Sequence, residues 1–142
     1  MLRTFNSEDA AIDLGHGLTL SFGDDGHWQV AGANGTCSLR SEKDFYRAVT
    51  MLEKSFVDAN EAVRRYSMAR PDSRPFQFDA VVKMALQSTT DHWAARALEW
   101  FPHLPLDQRR ALADALRVVI TAKWAGQKLR QQADRELKRL VS

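Results

Sequence analysis

Residues 18–30 read LTLSFGDDGHWQV, and this stretch decides the class of fold. Leu18, Leu20 and Phe22 alternate with Thr19 and Ser21, the two-residue period of a strand with one buried face. Gly23-Asp24-Asp25-Gly26 is a turn cluster, and Trp28 and Val30 resume the alternation beyond it. Further on, Asn34-Gly35 supplies the positive φ angles of a tight hairpin turn before Thr36 to Leu39. The spacing predicts a three-stranded antiparallel meander with Leu18, Leu20, Phe22, Trp28, Val30, Cys37 and Leu39 on its buried face. A sheet that small needs a helix packed against it to be stable.

The chain turns helical after the meander. Ser41 suits an N-cap, and Glu42 and Asp44 put negative charge where the helix dipole favours it. Phe45, Val49, Leu52, Phe56, Ala59, Val63 and Tyr66 then recur at alternating spacings of four and three, the seam of one long helix over 41–70. Pro71 and Pro75 bracket the loop that follows. Two shorter helices are expected over 76–104. The first covers Phe78 to Gln87 and stops at Ser88-Thr89-Thr90, whose hydroxyls can cap the second. In that second helix Trp93, Ala94, Ala97, Leu98, Trp100 and Phe101 span an arc of about 160°, wide enough to be mostly buried.

No proline interrupts 106–142 after Pro105, and Leu112, Leu116, Val119, Ala122, Gly126, Leu129, Ala133, Leu137 and Leu140 keep a helical seam. A continuous helix of about 35 residues would be roughly 52 Å long. A compact domain of this size is only about 37 Å across. The last helix therefore either overhangs its domain or bends near Gly126, where glycine weakens a helix by about 1 kcal/mol. The segregated order of strands then helices argues for an α+β fold: a small three-stranded meander packed on a mainly antiparallel helical bundle with a long C-terminal helix.

Composition sets the outer bounds. At 142 residues, 44% hydrophobic and 27% charged, the chain matches one soluble globular domain over 1–142 and excludes collagen-like or low-complexity classes. A single cysteine, Cys37, rules out an internal disulfide framework and multi-cysteine zinc sites. The polar first ten residues do not read as a secretory signal, and no window approaches a spanning helix of roughly 18 apolar residues. A cytoplasmic protein without a membrane partner is the expectation. Residues 1–40 carry two basic against five acidic side chains, whereas 106–142 carry nine basic against four acidic. The head is acidic and the tail basic.

Chemistry-bearing constellations are sparse. His16, His27, His92 and His103 form no H-x-x-x-H pair, and Asp24, Asp25 and His27 read as turn formers rather than metal ligands. Cys37 shares the parity of Leu39 and reads as a small hydrophobe. There is no nucleophile elbow, phosphate loop or G-x-G-x-x-G, so neither an enzyme nor a cofactor is expected. Residues 104–112, LPLDQRRAL, resemble the entry to the promoter-binding helix-turn-helix region of bacterial sigma factors. The helical pattern runs on where a turn and recognition helix would follow. Residues 90–116 resemble one HEAT-type helix pair, with no second copy at that period. Neither resemblance carries function to this chain.

Two surfaces remain. Trp93, Arg96 and Trp100 share a helix edge, which would be a binding hot spot if exposed and core if not. Gly126, Leu129, Ala133, Leu137 and Leu140 form an apolar edge on the overhanging helix. The reading is a non-enzymatic interaction module of the adaptor, chaperone-like or regulatory kind. Its apolar edge would serve self-association, as a dimer, or receive a partner helix. The alternative is nucleic-acid binding by the basic tail, with Arg117, Lys128 and Arg135 clustered on one side.

Overall fold

The computed structural model describes residues 11–141. The fold is mixed α+β, with an antiparallel sheet followed by helices. Among the described residues the sheet has four strands rather than three: β1 (Ile12–Gly15), β2 (Leu18–Phe22), β3 (Trp28–Gly32) and β4 (Gly35–Ser38), in that order across the sheet. β1 escaped the sequence reading because only Ile12 and Leu14 alternate there. It pairs with β2 through the register Ile12↔Leu20 and Asp13↔Thr19. His16 closes that hairpin at φ +57°, between two glycines that also adopt positive φ. Of the expected buried face, Leu20, Phe22, Trp28, Val30 and Leu39 are buried, while Leu18 and Cys37 are half-buried.

Two compact units divide the chain, one ending at Phe76 and one starting at Gln77. In the first, the sheet contacts a 3-10 helix, Glu42–Glu53, and α1 (Phe56–Ala69). The long helix expected over 41–70 is thus two helices of different pitch. Phe45, Ala48 and Met51 are buried at intervals of three, as are Val49 and Leu52, which matches three residues per turn. The break falls at Lys54 and Ser55, and the Ser55 hydroxyl accepts the Asp58 N–H at 3.1 Å to cap α1. Ser41 opens the 3-10 helix as expected, with its N–H donating to the Asp44 carboxylate at 3.0 Å.

Aromatic rings tie this unit together. Trp28 packs on Phe22, Tyr66 and Phe76 with centroids 5.4–5.5 Å apart. Its indole N–H donates to the Arg74 carbonyl at 3.0 Å, and the buried Phe22 N–H donates to the Tyr66 hydroxyl at 2.7 Å. Aromatic burial of this kind contributes packing beyond its area, and the Trp28 N–H and the Tyr66 oxygen both have partners.

The second unit is helical: α2 (Phe78–Leu86), α3 (Asp91–Trp100), a 3-10 turn Phe101–His103, α4 (Leu106–Ala111), α5 (Ala113–Thr121) and α6 (Gln127–Val141). The final helix expected over 106–142 is broken twice. The decisive break is at 122–126, where the chain reverses and lays α6 against α5. A carboxylate fixes the corner: the Gly126 N–H, at the start of α6, donates to Asp91 Oδ2 at 2.9 Å. Arg130 Nε donates back to the Ala125 carbonyl at 2.8 Å. Helical spacing alone could not distinguish this hairpin from one straight rod, because both bury the same stripe. Among the described residues, Trp100, Phe101, Leu86, Leu98, Leu116, Val81, Val82 and Val119 are the largest fully buried side chains of this unit.

Candidate functional site

α6 carries the residues on which the interaction reading rests. At about 100° per residue, Leu129, Ala133, Leu137, Leu140 and Val141 share one face spanning roughly 120°. Lys128, Arg135 and Arg139 share another, within about 40° of one another. Folding splits the apolar edge. Leu129 is 3% exposed and Ala133 fully buried, so the overhang expected of them is absent, because the break at 122–126 folds that stretch back on the molecule. Leu137 and Leu140 are half-buried, Val141 is 71% exposed, and Gly126 is exposed with its N–H held by Asp91. α6 has 15 residues against nine in α5, so it outruns its hairpin partner by about 9 Å at 1.5 Å per residue.

The charges of α6 are unequal. Glu136, only 8% exposed, pairs with Arg139 at 3.1 Å, and Asp134 pairs with Lys138 at 3.0 Å. Both acids of the helix are thereby engaged. Lys128 and Arg135 stand exposed with no ion pair among the described residues. Arg117, grouped with them by sequence, lies on α5 and is matched by Asp114 at 2.6 Å.

The Trp93–Arg96–Trp100 edge is not an exposed trio. Trp100 is 1% exposed and meets Phe78 at a ring distance of 5.8 Å, which places it in the core. Trp93 is half-buried with the His92 ring at 4.6 Å, and Arg96 turns to Glu99 at 3.6 Å rather than lying between two indoles.

Among the described residues, no group of three or more His, Cys, Asp or Glu side chains could hold a metal ion. Asp25, considered beside Asp24 and His27, instead accepts from the Ser38 hydroxyl at 2.8 Å, the His27 N–H at 3.1 Å and Arg40 at 3.1 Å. These bonds, that of Ser38 foremost, hold its carboxyl below the usual range. Among the described residues no helix is long and apolar enough to cross a membrane. No protein-family model matches the chain, and no curated protein or solved structure matches it.

Proposed function

We propose that the protein is a non-enzymatic interaction module and that α6 receives an acidic, amphipathic helix of another protein. One observation carries the reading. The far end of α6 keeps Leu137 and Leu140 half-exposed and Val141 exposed, on a strongly basic helix whose opposite face carries Lys128 and Arg135 without counter-charges among the described residues. Apolar anchors at helical spacing are the usual means by which one helix recognises another. Charge then selects the occupant. α6 has five basic side chains against two acidic ones, both engaged, so a second copy of the same helix would be repelled and an acidic one attracted. The charge of α6 therefore favours a foreign partner over a homodimer through this face.

The test uses two designed helical peptides with the same leucine face, one flanked by glutamates and the other by lysines. The glutamate peptide is expected to bind the full chain at least about tenfold more tightly, a difference of about 1.4 kcal/mol. Its affinity should fall with added salt. Equal affinity for both peptides, or binding of neither, would overturn the proposal. Random-sequence duplex DNA is the third probe, since Lys128 and Arg135 could also neutralise phosphates. Tighter binding of DNA than of the glutamate peptide would replace this reading with the nucleic-acid one.

A further inference from the structure

The β2–β3 turn, strand β3 and the end of α1 border a mostly polar cavity of about 460 Å³. Small-molecule sites commonly have volumes of about 300–1,000 Å³. Tyr66, 4% exposed, lines it. Its phenol oxygen accepts the Phe22 N–H at 2.7 Å and an Arg70 Nη1 hydrogen at 3.2 Å, which uses both lone pairs. The hydroxyl hydrogen has no acceptor among the described residues. Arg70 also lines the cavity. Its Nε and Nη2 each bond Asp72 at 3.2 Å. Of the guanidinium's five N–H donors, about two remain unused.

The rim has the opposite character. Asp25 is occupied by Ser38, His27 and Arg40. Asp24 is exposed and makes no hydrogen bond or ion pair among the described residues. Asp72 foremost, and Asp24 at longer range, favour the charged form of Arg70. One guanidinium thus faces two carboxylates, and the surplus charge at the cavity is negative.

We propose that this cavity binds a small α-amino acid, its carboxylate taking the free Tyr66 and Arg70 hydrogens and its ammonium meeting Asp24. A simple carboxylate would satisfy the floor but be repelled by Asp24. A simple amine would satisfy Asp24 and leave the floor donors unmet. An α-amino acid carries both groups on one carbon.

The test is a ¹H–¹⁵N shift titration of the full chain with glycine, L-serine and L-glutamate in turn. Acetate and methylamine serve as half-ligands. Saturable shifts at the Phe22 and Asp24 amides and the Trp28 indole are expected with at least one amino acid and with neither half-ligand. Asp24→Asn, an exposed change outside the packed core, should weaken that binding by at least about tenfold. Absence of saturation with all three amino acids, or an affinity unchanged in Asp24→Asn, would overturn the assignment.

Discussion

Lys128 and Leu129 are adjacent in sequence and opposite in consequence. Leu129 is 3% exposed, so Leu129→Ala should leave a cavity and cost about 2–4 kcal/mol in urea unfolding. Lys128→Ala should stay within about 0.5 kcal/mol of the parent. A Leu129→Ala cost below that of an ordinary surface change would mean that α6 does not pack as described. Tyr66 makes a second residue-level case. Tyr66→Phe removes the acceptor of the buried Phe22 N–H and should cost about 1–3 kcal/mol. Glu61 illustrates electrostatics without burial: hydrogen bonds from Arg64 first, then Arg65, lower its pKa to about 2. A depressed acid stabilises the fold above its unfolded value. That contribution should fade as pH falls from the ordinary glutamate value of 4.5 toward about 2. A carboxyl titration followed by NMR should give a Glu61 midpoint near 2, and an ordinary midpoint would contradict the pairing. At this scale the sequence identified the basic residues of the candidate site but not their partners. Arg117 meets Asp114 three residues earlier, a relation visible in the sequence, whereas the free state of Lys128 and Arg135 is visible only once α6 is placed.

Elements were legible where a single local period governs them. The alternation around Leu18–Phe22 and Trp28–Val30, and the proline-bracketed end of α1 at Ala69, fall where the pattern put them. The 3-10 helix did not, because the four-then-three spacing of Phe45, Val49 and Leu52 is that of an α seam, and either kind of helix can bury all three. Only the burial of Ala48 and Met51 distinguishes the two. The corner at 122–126 depends on Asp91, 35 residues away, and no local signal encodes so distant a cap. Asp91→Ala should cost about 1 kcal/mol and speed amide exchange in the first turn of α6. The nearby α2–α3 turn holds Thr89 at φ +62°, an uncommon conformation for a β-branched side chain. Thr89→Gly should relieve that strain and stabilise the protein by about 1 kcal/mol. Thermal unfolding of the two variants should move in opposite directions, and a shared direction would remove one of the two explanations.

At the scale of the whole molecule, the α+β class follows from strands preceding helices, and the sequence contained enough to state it. The fate of the C-terminal seam required the fold. What was an uninterrupted edge from Gly126 to Leu140 becomes a packed stretch, Leu129 and Ala133, and a partly open end, Leu137 to Val141. Deleting 127–142 would therefore remove the packing of α6 on α5 together with any docking face, so point substitutions are the sound probe. Light scattering of the full chain should give a monomer mass at low salt, because like-charged α6 faces repel. A dimer abolished by Leu140→Asp would show instead that this end self-associates.

The most direct measurement is a charge swap. Affinities of the glutamate-flanked and lysine-flanked peptides are compared for the parent chain and for the Lys128→Glu/Arg135→Glu variant, with its folding checked by amide spectra. The parent should prefer the glutamate peptide and the variant the lysine peptide, each by at least about tenfold. A preference unchanged by the swap, in a variant that remains folded, would contradict the assignment of α6 as the docking face.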